Sequence, residues 1–184
     1  MEVSDDELYR LYLDGNTKAY DELMIRYGDN LTCYLKGLLS SIEDAEDIMI
    51  EAFSRIMVDK PKIKLGNFKA YLFTVGRNLV ARFYKKEKRV QVFSLEELSE
   101  DDGPESECFE ETLFADEKKK ALHRCIDRLE QDIREAVWLV YFENLSYDQA
   151  AKIMRVGKRK VEYMLARAKL LLRKELENEG YTSL

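Results

Sequence analysis

Apolar residues recur at three- and four-residue intervals along almost the whole chain, the spacing of amphipathic helices, while alternation of the kind strands require has little support. Ser4, followed by Asp5, Asp6 and Glu7, has the form of a capping box and predicts a helix that ends near Gly15. A second helix is predicted from about Thr17 to Leu39. Ser41, with Asp44 three residues on, opens a third, which turns Ile42, Ala45, Ile48, Met49, Ala52, Phe53 and Ile56 toward a core and stops before Lys60-Pro61. Asn67 is placed to cap a fourth, from Phe68 to about Lys88, with Tyr71, Leu72, Val75, Leu79 and Phe83 as its apolar stripe. Four helices in so short a stretch predict a compact bundle.

The periodicity lapses in SLEELSEDDGPESECFEETLFADE, which contains the Gly103-Pro104 pair and reads as a linker. Helices resume from about Lys118 to Leu129 and from about Asp132 to Glu143. The block NLSYDQAAKIMRVGKRKVEYMLARAKLLLRKEL then has the pattern of a helix-turn-helix. Ser146 caps its short first helix, bearing Ala150, Ala151 and Ile153; a turn falls around Arg155 to Lys158; a longer helix turns Val161, Leu165, Ala168 and Leu172 inward. The expected fold class is all-α, with two small helical domains, 1–92 and 118–184, joined by an acidic linker, 93–117.

Composition narrows the class. With 46% hydrophobic and 36% charged residues over 184 positions, the chain is expected to fold rather than stay disordered. It has no apolar run long enough for a membrane span, and its first residues, MEVSDDELYR, are acidic where a signal peptide would be basic, so a cytoplasmic location is expected. Cys33, Cys108 and Cys125 are scattered without CxxC spacing and are expected to be free thiols. His123, the single histidine, points to a different helix face from Cys125, so no metal site and no cofactor are expected. The formal charge of -6 conceals a strong asymmetry: Ser94 to Glu117 carries eleven acids and no Lys or Arg, and the remainder of the chain is at +5.

That positive charge gathers on two helices. Lys158, Arg159, Lys160, Glu162, Tyr163, Arg167 and Lys169 fall outside the apolar stripe of the last helix, a face suited to the major groove of B-DNA, about 12 Å wide. On the fourth helix, Arg77, Asn78, Arg82, Lys85, Lys86, Lys88 and Arg89 are interleaved with Phe83 and Tyr84, a combination suited to melted DNA, where cations follow the backbone and rings stack on bases. A solvated helix surface is the alternative for both, and a basic helix end also complements the helix dipole. Asp44, Asp47 and Glu51 make one acidic face on the third helix, with no Glu-x-x-His partners for a di-metal centre. There is no Gly-rich phosphate loop, no GxSxG elbow and no Cys-His pair set for nucleophilic attack, so the chain is not expected to be an enzyme.

In this order the pieces resemble the extracytoplasmic-function (ECF) RNA polymerase sigma factors, over nearly the whole chain. DDELYRLYLDGNTKAYDELMIRYGDNL looks like the amino-terminal helix pair of that family, and DAEDIMIEAFSRI matches its motif DAEDxxQExF. The resemblance implies that Asp44, Glu46, Asp47 and Glu51 meet the clamp helices of the polymerase β′ subunit while Phe53 packs inward. GNFKAYLFTVGRNLVARFYKKEKR looks like the segment that melts and reads the −10 element, which assigns Arg77, Asn78, Arg82, Lys85, Lys86 and Arg89 to that DNA; an unstacked base would enter a pocket formed by the loop Lys60 to Asn67 and the following helix. The last block resembles the domain that reads the −35 element and packs on the β flap, with Lys158, Arg159, Lys160, Tyr163 and Arg167 on the DNA.

Several positions depart from the pattern. Ile50 stands for the usual Gln, Arg82 for a common Asp, Arg155 for the turn glycine, Arg159-Lys160 for Gly-Thr and Met164 for a common Arg. The implied partners are core RNA polymerase, promoter DNA and, as for many relatives, an anti-sigma factor. Three other classes stay in view: a helix-turn-helix regulator acting without polymerase, a purely protein-binding antagonist and a nucleic-acid enzyme. The acidic linker, by resemblance, threads toward basic channels that hold RNA and is expected to mimic nucleic acid there, the alternative being a solvated spacer.

Overall fold

The computed structural model describes residues 3–91 and 117–178, with the side chains of 88–91 and 117–120 left out. Residues 93–116 of the linker, Cys108 and the side chain of Arg89 therefore lie outside the described residues. The chain divides into two compact units, Met1–Pro104 and Glu105–Leu184.

The first unit is a bundle of α1 (Asp5–Leu13), α2 (Thr17–Lys36), α3 (Ile42–Asp59) and α4 (Phe68–Gln91). Ser4 and Ser41 accept from the backbone N–H of Glu7 and Asp44, which satisfies one otherwise unpaired donor at each helix start. The core is unusually rich in tyrosine, and each phenol that enters it brings a donor needing a partner. Tyr20 donates to the Phe53 carbonyl at 2.6 Å, Tyr12 to Met57 at 2.7 Å and Tyr9 to Pro61 at 2.8 Å. Burial pushes the Tyr9 phenol up to about 12 and raises Tyr20 as well. These bonds tie α1 and α2 to α3 and to the segment after it.

Along α4 the buried face differs from the expected stripe. Leu72, Phe73, Gly76, Leu79 and Val80 are buried, Val75 and Phe83 are only half-buried, and Tyr71 is exposed. The helix packs against both α2 and α3, so its buried face is wider than one stripe and is displaced toward α2. Gly76 marks the close approach: a Cβ there would come within 3.1 Å of Leu31 Cδ1. On α3, Ile42 is exposed and Met49 half-buried, whereas the other expected core positions are buried. The second helix also ends at Lys36, earlier than the expected Leu39. Cys33 is disulfide-bonded, which corrects the expectation of three free thiols; pairing depends on which segments the fold brings within reach, and spacing along the chain does not report that.

The second unit contains α5 (Glu117–Asp127), α6 (Gln131–Val137), α7 (Tyr147–Met154) and α8 (Lys158–Asn178). The helix expected from Asp132 to Glu143 is not α-helical throughout: its end, Trp138–Phe142, is a π-helical turn in which the indole of Trp138 stacks on Phe142 at 4.8 Å. Cys125 is a free, buried thiol and packs with Ala121 and Leu176. At the start of α7 the capping box is complete: Gln149 N–H donates to Ser146 Oγ, and Ser146 N–H donates to Gln149 Oε1. Among the described residues there are no strands, no cluster of metal-ligating side chains and no helix long and apolar enough to cross a membrane.

Candidate functional site

On α3 the burial of Ala45, Ile48, Ala52, Phe53 and Ile56 turns the opposite side outward, and Glu46, Asp47 and Glu51 are exposed on it. Asp44 is half-buried beneath the Ser41 cap. This acidic face has some internal use: Glu51 accepts two hydrogen bonds from Arg55, one turn on. The Ser41 hydroxyl donates to Glu43, which holds that carboxyl below the usual carboxylate range. Phe53 is buried and meets Tyr20 edge-on at 6.0 Å. Ile50 lies exposed on the outward side, and Met57 and Val58 extend it with apolar surface toward the carboxyl end.

Of the six fourth-helix candidates, Arg82, Lys85 and Lys86 are exposed, while Arg77 and Asn78 are half-buried. Tyr84, expected as a stacking surface, is tied down: its hydroxyl donates to the Leu38 carbonyl at 2.8 Å, and its ring meets Phe83 edge-on. Burial raises the Tyr84 phenol, and the charges of Glu87 and Asp44 act in the same direction. Asn78 and Arg82 line a cavity of about 180 Å³ together with Tyr71, Val75 and Leu79 of α4, Arg55, Ile56 and Asp59 of α3, and Pro61. The wall supplied by α3 was missing from the sequence reading, and of the loop only Pro61 lines the space. A signal for this face was nevertheless present in the chain: from Lys60 to Lys86 there are eight Lys and Arg residues and no acid.

The two helices of the helix-turn-helix meet through a tight turn. Arg155 ends α7 in the left-handed conformation, φ 56° and ψ 42°, and Val161, Met164, Leu165 and Ala168 bury the inner face of α8. All five candidates on this helix, Lys158, Arg159, Lys160, Tyr163 and Arg167, are exposed, but they are not equivalent. Lys158 pairs with Asp148 at 2.8 Å, a contact that raises its pKa, and Arg167 pairs with Glu130 at 2.8 Å. Arg159 and Lys160 form no ion pair among the described residues, and Tyr163 stands 62% exposed beside them. The first turns of α8 thus present, on one outward surface, a phenol and two cations without an ion pair among the described residues.

A four-helix unit with a basic, cavity-bearing face and a separate helix-turn-helix unit is the architecture of the sigma-70 proteins, and comparison with known proteins agrees. The family model for Sigma-70 region 2 matches residues 23–90, and that for Sigma-70, region 4 matches residues 119–172. The chain is 30% identical over 150 residues to the ECF RNA polymerase sigma factor EcfG of Rhodopseudomonas palustris, covering 77% of each. It is 26% identical over 186 residues to the RNA polymerase sigma-H factor of Pseudomonas aeruginosa, covering 94% of each. In fold it resembles the sigma factor RpoE of Bartonella quintana, solved in complex with the anti-sigma factor NepR, with a TM-score of 0.63 at 22% identity over 87% of this chain and 98% of that one. The chain belongs to the sigma-70 family, in its ECF group. Proteins of this family are regulatory and support transcription initiation by RNA polymerase; the chemistry of RNA synthesis is not theirs.

Proposed function

We propose that this chain docks on core RNA polymerase, places the start of α8 in the major groove of a −35 element, and uses α4 with the loop before it to open the duplex at a −10 element. The observation that carries this reading is the exposed set Arg159, Lys160 and Tyr163 on the second helix of a helix-turn-helix, where long cations meet phosphates and guanine acceptors. Asn78 and Arg82 at the 180 Å³ cavity supply hydrogen-bonding groups beside an apolar wall, suited to one unstacked base. Arg77, Lys85, Lys86 and Arg89 serve the same strand as phosphate contacts. Asp44, Glu46, Asp47 and Glu51 are the core-binding acids, with the β′ clamp helices as their partner, and the second unit packs on the β flap. The reading places the protein in the cytoplasm, with no cofactor. An anti-sigma partner belongs to it as well, since the similar RpoE was solved with NepR.

Adding the purified chain to core polymerase and supercoiled genomic DNA tests the proposal. New, specific transcript starts are the expected result. Tight DNA binding with no new start would instead favour a regulator that works without polymerase.

A further inference from the structure

Cys33 holds its disulfide in the last turn of α2. Leu31, Tyr34 and Leu35 bury the inner side of this end of the helix, and at about 100° per residue Cys33 falls on the side away from the core, where it is half-buried. The bond is therefore no staple of the bundle's interior. The chain has two other cysteines; Cys125 keeps its thiol, buried in the second unit, so the partner of Cys33 is Cys108 of the acidic segment. A protein that works on DNA with RNA polymerase operates where glutathione keeps ordinary thiols reduced, and a disulfide there is characteristically transient and redox-sensing. A bond on a helix surface is also open to an incoming thiolate, whose attack is the step by which disulfides form and break.

The consequence of the bond is one of reach. From Gln91, the end of α4, to Glu117, the start of α5, the connection extends to about 90 Å when fully stretched. With Cys108 bonded to Cys33, the second unit is tethered to α2 through Cys108 to Glu117 alone, about 35 Å including the disulfide. Elements at −35 and −10 lie about 25 base pairs apart, or about 85 Å at 3.4 Å per pair. Two linked modules strengthen each other's binding only where the connection spans both sites. We infer that Cys33 and Cys108 are a redox pair that sets the span of the molecule: as thiols they let the two units reach both promoter elements, and as a disulfide they hold the second unit within the shorter reach and withdraw one element. The oxidant is a low-molecular-weight disulfide of the glutathione class. One cysteine thiolate attacks it, forming a mixed disulfide and expelling one small thiol. The other thiolate attacks the cysteine sulfur of that mixed disulfide and expels the second, so the two electrons lost by the cysteines leave with two small thiols, and excess small thiol reverses both steps. The inference rests on the reading in which both elements are bound at once, and adds to it a control by oxidation.

The test equilibrates the full chain with oxidised or with reduced glutathione and reads it in three ways. Mapping of peptides prepared without reductant is expected to find Cys33 joined to Cys108 after oxidation and not after reduction. Small-angle X-ray scattering should give the oxidised chain a smaller maximum dimension. Holoenzyme assembled from core and the oxidised chain should give about tenfold fewer transcripts from a promoter with both elements, the modest end of what linkage contributes, and dithiothreitol should restore them. Cys33→Ser and Cys108→Ser should each match the reduced parent under both conditions. Absence of the linked peptide, an unchanged dimension or unchanged transcription after oxidation each overturns the redox control, as does a loss that Cys108→Ser shares. If the reduced parent starts no transcript, the promoter reading itself fails, while the peptide map and the scattering still decide the tether.

Discussion

Arg155 shows what a single backbone conformation costs. It ends α7 at φ 56°, where a side chain with a Cβ is crowded, and the family's glycine at this place would not be. Arg155→Gly is therefore expected to stabilise the second unit by roughly 0.5–1 kcal/mol, the net of relieved strain and added unfolded-state entropy. Chemical denaturation followed by the fluorescence of Trp138, the single tryptophan, reads that unit alone; an unchanged or lower midpoint counts against the assignment. His123 makes a pH-dependent contribution in the same unit. Burial against Phe142 holds its pKa below 6.5, with the Asp127 charge acting in the opposite direction. The unfolded chain then binds a proton that the folded unit resists, so stability falls as pH drops below about 6.5 and the loss ends below the folded pKa. His123→Gln should flatten that part of the stability curve, and an equally steep curve would remove His123 as its source.

Among the elements, α3 and α8 have outward faces with different chemistry and different tests. Reversing Asp47 and Glu51 to Lys should weaken core binding while the isolated protein remains folded, because both side chains are exposed. Glu51 has an Arg55 partner, and losing an exposed pair of this kind costs only about 0.3–0.5 kcal/mol, so any larger loss of core affinity belongs to the interface. Unchanged affinity in a titration would sink the α3 assignment. Along α8 the ion pairs divide the five candidates. Arg159→Ala and Lys160→Ala should each lower the salt slope of DNA binding by about 0.9 where the lost contact is a phosphate, or cost about 1–3 kcal/mol at one base pair where it is a base. Lys158 and Arg167 are already satisfied by Asp148 and Glu130, so their removal should have smaller effects, and Asp148→Ala should strengthen DNA binding by releasing Lys158. If all four alanine variants leave salt dependence and promoter choice alike, α8 is not the recognition helix.

For the whole molecule, charge distribution is the controlling property: a chain of formal charge -6 is a basic protein carrying an acidic segment. Replacing Glu96 through Glu111 by a Gly/Ser segment of equal length preserves reach and removes the charge. If the segment mimics nucleic acid, the variant should bind core more weakly, shift the ratio of abortive to full-length RNA and lose salt sensitivity in both. Parental behaviour in all three makes it a spacer. Much of the architecture was legible without coordinates, because its causes are local: Ser4, Ser41 and Ser146 start helices through bonds to residues three positions on, and the family motifs are contiguous. Other features depend on contacts between residues distant in the chain. Which side of α4 is buried was decided by its packing on both α2 and α3, and the ion pairs of Lys158 and Arg167 by partners 10 and 37 residues away. The α3 wall of the cavity and the grip of Asp6 on Gly66, 60 residues on, arise in the same way. A helix needs only its neighbours in sequence to form, whereas a site needs side chains whose distances are set after the helices have packed.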